Sequence, residues 1–582
     1  MTGVANASYG IVLLILVAWL AGFGAEALPY DYTATTECLS VPHKPQYNGG
    51  IIRDPELNHG LKEWSKFGSP DIKHRSVDGN SFIVVEGRNR SHDSVWQKIY
   101  LEKDKLYTFS AWVQVNEGEH LVRATFNTSS GLRHAGITTA RSKCWSMMKG
   151  GITVDTSEDT HLYLEATNAS VQLWIDSVSL QPFTREEWES HQVQSVEKAR
   201  KTRVRIAVLD SQKRPVRNAS ITIQAKATGF PLGCAMSKNI LTNTAYQNWF
   251  KSRFRLTVFE NEMKWYSNEA AQGREDYSVA DAMMKFARQN SISVRGHNVL
   301  WDDPNMQPRW VKSLPAAALW KAVWNRVNSV MGRYKGQVIG WDVMNENLHF
   351  SFFEGKLGQD ASGSAYQFAT AADGRTTLFL NEYNTIEEPG DSMSSPAKYI
   401  QKIRAIQAYK GIHKNLGIGL EGHFRVANIP YTRSAIDTLG SLGLPIWITE
   451  LDVQGGPNQV RYLEQILTEV HSHPRVNGIV LWAGWRPEGC YRMCLTDNNF
   501  RNLPTGDVVD RLHRQWGWMP LNGMTDSEGF FEASLFHGTC SVKVMDASDE
   551  LMQSLSDDQV FEVGPTESEE SGPVEIVTTV SS

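Results

Sequence analysis

The sequence predicts an α/β chain, a (β/α)8 TIM barrel preceded by an all-β jelly-roll sandwich. Three observations carry that reading. From 229 to 520, short apolar runs alternate with amphipathic helical stretches, and eight such units are what a closed barrel needs. From 49 to 183 the pattern is instead short alternating strands such as "SFIVVEG", "LYTFSAWVQV" and "SVQLWIDSVSL", the signature of an antiparallel sandwich. Third, most of the eight runs end on polar side chains, at the carboxyl ends of strands where barrel active sites are built. A doubly wound open sheet is the rival, but no glycine fingerprint for phosphate follows the first run.

Taken in order, the chain opens on an apolar run from Ile11 to Gly24 followed by Ala25-Glu26-Ala27. The run is shorter than the roughly 20 residues of a membrane span. It matches the core and cleavage pattern of a secretory signal, residues 1–27, although the ten residues before it carry no Lys or Arg. An uncleaved anchor is the alternative. Residues 28–48 read as a linker and 49–183 as the sandwich. Residues 184–228 read as a connecting helix, opened by a Thr184 cap with Glu187 three residues on, and then a strand pair. After the barrel, 521–545 reads as a small β segment. Residues 546–582 hold ten Asp/Glu and no Lys or Arg, which predicts a disordered acidic tail.

A net charge of −6 gives no general reason to expect nucleic acid as a partner. The 19 Trp suit both structural packing and stacking on flat faces such as those of sugar rings. Beyond the expected signal segment, four N-x-S/T sequons, at Asn89, Asn127, Asn168 and Asn218, fit a secretory route. Cys490 and Cys494 bracket one short loop, and an oxidising compartment would let them pair. Their spacing also suits a metal site, but no Cys/His cluster accompanies them.

The barrel's eight runs are those near "LGCAM", "LTVFE", "SVRGH", "IGWDV", "TLFLN", "IGLEG", "PIWITE" and "GIVLWA". Collected at their ends are Glu260, Asn261 and Lys264; His297; Asn345 and Glu346; Asn381, Glu382 and Tyr383; Glu421 and His423; Glu450 and Asp452; and Trp482 and Trp485. Any one of them alone is an ordinary structural hydrogen bonder, and their convergence on one rim is the signal. Strands 4 and 7 oppose each other across an eight-stranded barrel, so Glu346 and Glu450 can face each other over its mouth. Carboxyl groups about 5–5.5 Å apart suit a retaining glycosidase, and about 6.5–9.5 Å an inverting one.

The motifs "FENEMKW", "VRGHNVLW", "WDVMNE", "LFLNEYN", "GIGLEGH" and "ITELD", in that order over about 185–520, resemble glycoside hydrolase family 10, the endo-1,4-β-xylanases. The resemblance implies Glu346 as acid/base and Glu450 as nucleophile, with His423 and Asp452 hydrogen-bonding the nucleophile. It implies sugar contacts from Glu260, Asn261, Lys264, His297, Trp301 and Asn345, with Glu421 and the tryptophans Trp482 and Trp485 beside them. It calls for no cofactor and no metal. Two departures stand out: Asp302 where many members carry His, and Glu421 where many carry Gln. They bear on rate and subsite preference.

Residues 49–183 resemble a family 22 carbohydrate-binding module through "NHGLKEWSKFG" and "LWIDSVSLQPF". Within it Trp64, Trp112 and Trp174 read as core, and Asp176 is the candidate for a structural calcium. The wording "GCYRMCLTDNNFRNLPTGDVVD" resembles the plant branch of family 10. The expectation is therefore a secreted, monomeric cell-wall enzyme acting on xylan, including arabino- or glucuronoxylan, with no stable membrane insertion after cleavage. The alternatives are a xylan transglycosylase and a catalytically weak xylan-binding wall protein.

Overall fold

The computed structural model describes residues 28–412, 415–545, 558–566 and 572–580. The expected signal segment, 1–27, lies outside the described residues. The N-terminal part is a sandwich of two five-stranded antiparallel sheets. One sheet runs Ser65–Phe67, Ser94–Leu101, Glu158–Ala166, Glu119–Thr128, Gly131–Arg141. The other runs Asp71–Val77, Asn80–Glu86, Leu173–Phe183, Leu106–Val115, Ser146–Ile152. Alternate residues such as Ile83, Phe109 and Val113 meet Val122, Phe126 and Leu162 in a common core. The opposite face of the second sheet is buried too, in a cluster of Phe82, Val84, Trp112 and Trp145. Trp64 and Trp112 are buried, and Trp174 is half-buried and stacked on Phe82.

The stretch expected to be a linker is a strap pinned to this sandwich. Cys38 is disulfide-bonded to Cys144, a pairing of residues 106 positions apart that no local pattern signals, and Leu39 exchanges backbone hydrogen bonds with Trp145. Tyr30 is buried. The next helix, Arg185–Arg200, starts where its capping box forms: Thr184 Oγ1 accepts from Glu187 N at 3.1 Å, and Glu187 Oε2 from Thr184 N at 2.7 Å.

Eight parallel strands then close the barrel: β1 Leu232–Met236, β2 Leu256–Phe259, β3 Ser293–Arg295, β4 Gly340–Asn345, β5 Thr377–Tyr383, β6 Leu416–Phe424, β7 Ile446–Val453 and β8 Val476–Leu481. The runs picked out in the sequence supply all eight. β3 is interrupted, pairing with β2 through Ser293–Arg295 and with β4 through Gly296 and Leu300–Trp301. Their near-continuous burial is what a parallel sheet covered by helices requires. The helices present apolar stripes to it; in Ser278–Gln289 the buried residues are Ala280, Met283, Met284 and Ala287, at the 3.6-residue period.

Strand Lys201–Leu209 lies between Phe530–Phe536 and Val574–Thr579, while Ser220–Thr228 lies between Leu521–Met524 and Gly538–Met545, with Gln559–Val563 beyond. Segments from both sides of the barrel therefore share one small core of Val204, Ile206, Ile221, Ile223, Val542 and Phe561. The disordered tail expected from 546 onward is corrected for 559–563 and 574–579, which are strands. Acidic composition averaged over 37 residues hides two short Val/Ile-rich runs that complete sheets already begun.

Sandwich and barrel meet through the helix Ile429–Gly440, nearly all of whose residues are buried. A Cβ on Gly151 would come within 2.5 Å of Pro430, so glycine is required by the close approach. Beside it Lys149 Nζ lies 2.7 Å from Asp437 Oδ2, with both side chains almost fully buried. Asp437 also accepts from Tyr30 (2.8 Å) and contacts His473 Nε2 at 3.0 Å.

Candidate functional site at the barrel mouth

The carboxyl ends of the strands surround a cavity of about 850 Å³. Its lining includes Glu260, Asn261, Lys264, His297, Trp301, Asn345, Glu346, Tyr383, Glu421, His423, Glu450 and Trp482. Residues from seven strand ends, scattered over some 220 positions of sequence, thus share one wall. Trp485 is not among them. It is buried against Tyr246 and Phe500 and donates to Asn498, so the second rim tryptophan is a core residue.

β4 ends on Asn345, and Glu346 follows with a left-handed φ of +56°. That conformation costs a non-glycine residue roughly 1–3 kcal/mol and persists only where its surroundings enforce it. Here Glu346 N donates to Asn381 O of β5 at 2.8 Å. Asn345 Nδ2 reaches Glu346 Oε1 at 3.3 Å, and Asn381 Nδ2 donates to both Asn345 Oδ1 (2.9 Å) and Glu421 Oε1 (2.7 Å).

A register shift between Leu420 and Glu421 sets Glu421 beside Glu450 and His423 beside Asp452. His423 Nε2 lies 3.5 Å from Glu450 Oε2 and 3.6 Å from Glu421 Oε2, and its Nδ1 is 3.2 Å from Asp452. On the other side His297 Nε2 is 3.6 Å from Glu450 Oε1, while its Nδ1 is 2.9 Å from Asp342 Oδ2. Asp342 in turn pairs with Arg295 at 2.5 Å. The Glu450 carboxylate therefore sits between two imidazoles, each oriented by a buried aspartate. Lys264 Nζ completes the floor, 4.4 Å from the Trp301 ring centre and 5.6 Å from that of Trp482.

These surroundings raise two of the carboxyl groups. Burial, with repulsion from Glu382 and Glu450, holds the Glu346 carboxyl up to about 8, so it keeps its proton at neutral pH. Burial and the charges of Glu450 and Glu346 raise Glu421 well above the usual carboxylate range. Burial works against a charged His423, but the carboxylates of Asp452, Glu421 and Glu450 beside its ring outweigh that and raise it well above its ordinary value. A neutral acid across from a carboxylate flanked by imidazoles is the division of labour that acid–nucleophile chemistry needs.

Several contributors carried no sequence signal of their own. Arg486 pairs with Glu260, and Arg492 Nε lies 2.8 Å from Asp452. His349 bridges Glu382 and Asp391. The polar residues inside runs, Arg295 and Asp342, were visible as oddities of pattern, since a buried strand seldom carries charge without a partner. Asp302 is fully buried away from the cavity, accepting from Asn347 and Phe353 N, and burial pushes it up to about 6. Cys490 and Cys494 are disulfide-bonded. Among the described residues the grouping able to hold a metal is Glu421, His423 and Glu450; Asp176 belongs to none, and accepts instead from Asn80 and Ser177. Of the sequons, Asn89, Asn127 and Asn218 are exposed and Asn168 is half-buried.

A closed parallel barrel with acidic side chains at the ends of β4 and β7 defines a class, the barrel glycosidases. The match can be made narrower. The family model for glycosyl hydrolase family 10 matches residues 220–504. Endo-1,4-beta-xylanase 5 of Arabidopsis thaliana is 40% identical over 557 residues, 94% of each chain, and endo-1,4-beta-xylanase 4 of the same plant is 38% identical over 570 residues, 94% of this chain and 95% of that one. This chain belongs to glycosyl hydrolase family 10. Among solved structures, the CBM22-1–GH10 modules of Clostridium thermocellum xylanase 10B in complex with xylohexaose are 16% identical, covering 80% of this chain and 97% of that one at a TM-score of 0.43.

Proposed function

We propose that the protein is an endo-1,4-β-xylanase that cleaves internal bonds of wall xylan with retention of configuration. The observation that carries this reading is that Glu346 and Glu450 line one cavity, with Glu346 neutral and Glu450 held between His423 and His297. The names of the Arabidopsis relatives supply the substrate class. In the first step Glu450 attacks the anomeric carbon while Glu346 gives its proton to the departing glycosidic oxygen. Esterified Glu450 no longer carries charge, and the repulsion that helped keep Glu346 protonated disappears. Glu346 can then take a proton from the water that releases the sugar.

Asn345, Lys264 and Glu260 are suited to hold sugar hydroxyls, and the indoles of Trp301 and Trp482 to stack on rings. The N-terminal sandwich fits a xylan-binding module that raises local substrate concentration. Secretion to the cell wall follows from the same reading. Time-resolved proton NMR of xylohexaose tests it: β-anomer appearing first at new reducing ends is expected. Early α-anomer would remove the nucleophile role from Glu450, and products longer than the hexamer would show transfer to sugar. Intact substrate after prolonged incubation, with xylan still bound, would leave a binding protein.

A further inference from the structure

His349 lies three residues beyond Glu346, outside the cavity lining, yet both of its ring nitrogens face carboxylates. Nδ1 is 2.7 Å from Glu382 Oε1 and Nε2 is 2.9 Å from Asp391 Oδ2. A neutral imidazole has one N–H and one lone pair, so only the doubly protonated ring satisfies both partners. Its face stacks on Tyr383, ring centres 3.9 Å apart and 10° from parallel. Glu382 is fully buried at the end of β5, and its other oxygen accepts from Leu348 N at 2.7 Å. One carboxylate thus grips two consecutive residues of the turn that carries Glu346 and its left-handed φ.

We propose that His349 is a positioning residue for Glu346: as an imidazolium it keeps Glu382 ionised, and the Glu382 carboxylate both fixes the turn after β4 and strengthens the hold of Glu346 on its proton. The proposal rests on the acid role given to Glu346 above. The groups facing Glu346 are Glu382 and Tyr383 from β5, Glu450 from β7, Glu421 from β6 and Lys264 from the turn after β2. Those facing His349 are Glu382, Tyr383 and Asp391. Asp391 is itself tied down by Asn384 Nδ2 at 2.7 Å and Met393 N at 2.9 Å. Burial works against a charged His349, but the hydrogen bonds it donates to Asp391 and Glu382 carry it up to about 9; Asp391, despite its partial burial, is drawn down to about 2 by His349 and Asn384.

Burial raises the Glu382 carboxyl and the His349 imidazolium opposes that rise, so without the imidazolium Glu382 holds its proton to higher pH. Its repulsion of Glu346 is then lost, and Glu346 releases its proton at lower pH. The test combines two readouts. In the wild-type protein, nitrogen NMR of His349 should show both ring nitrogens protonated at pH 7; a neutral ring there overturns the proposal without reference to any variant. In His349→Gln and in Glu382→Gln, the Glu346 carboxyl signal, assigned by its loss in Glu346→Gln, should titrate roughly one pH unit lower than in the wild type. The alkaline limb of kcat/KM on xylo-oligosaccharides should follow, and the double variant should move it no further than either single change. A Glu346 titration that stays put in folded variants overturns the proposal. Wild-type protein that shows the carboxyl behaviour but cleaves no xylan would instead overturn the function proposed above.

Discussion

At the scale of single residues, the site is a set of carboxyl groups told apart by their neighbours. Replacing Glu450 with Gln leaves no group to form the covalent intermediate, and turnover should fall by about 10⁴-fold or more on every substrate. Replacing Glu346 with Ala should cost about 10²–10⁴-fold on xylo-oligosaccharides, spare the first step on aryl glycosides with good leaving groups, and be partly rescued by azide. Rescue of Glu450→Ala with retention would mean that the roles are exchanged. Glu421 offers a different test. Held protonated by burial and by Glu450 and Glu346, it already resembles the amide of Gln, so Glu421→Gln should change kcat/KM near pH 6 by less than about threefold. Above its raised pKa the native residue adds a further negative charge beside Glu450, and only there should the variant outperform it. A large loss at pH 6 would show that the proton of Glu421 does work in the reaction. Legibility at this scale followed sequence locality. Glu346 and Glu450 sit inside distinctive motifs, whereas His349 gains its meaning from Glu382 and Asp391, more than 30 and 40 residues away. Trp485 was misplaced because an indole at a strand end suits a rim and a core equally well, and Tyr246 and Phe500 decide for the core.

Among the elements, β6 and β7 show why pattern alone falls short. The alternation of each strand was readable, but the register shift that sets Glu421 beside Glu450 belongs to the pair. The loop closed by Cys490 and Cys494 is a second case: its pairing was readable from spacing and compartment, its use was not. It holds Tyr491, 85% exposed, at the edge of the cavity. A ring kept in water by a cross-linked turn is costly as packing and well placed as a platform for a sugar face. Tyr491→Ala should raise KM severalfold for oligosaccharides long enough to reach it and leave the shortest cleavable substrate and kcat little changed. Equal loss on all lengths would mean that the ring supports the catalytic groups instead. The strap at 28–48 and the strands in the acidic tail escaped the sequence because their stabilisation comes from Cys144, Trp145 and sheet edges elsewhere in the chain.

For the whole molecule, the barrel and both of its neighbours could be seen in the sequence as separate patterns, but their junction could not. It depends on Lys149, a lone charge in the buried strand Ser146–Ile152, meeting Asp437 on a helix almost 300 residues away. Burying two charges is costly, and their mutual attraction with added hydrogen bonds roughly offsets that cost, so the pair need not stabilise the molecule more than apolar residues would. Removing one partner is another matter. Lys149→Ala leaves Asp437 buried with only Tyr30 and His473, and should destabilise the folded state by about 3–5 kcal/mol. Lys149→Met paired with Asp437→Leu should recover most of that loss. Thermal unfolding of the two variants beside the wild type measures both effects. If sandwich and barrel act as one cooperative body, Lys149→Ala lowers a single transition; if the junction is dispensable, the barrel's transition stays where it was. The first outcome is expected, because the same face also carries the Gly151–Pro430 contact and the hydrogen bond from Ser434 Oγ to Gly150 O, which would be lost together with the ion pair.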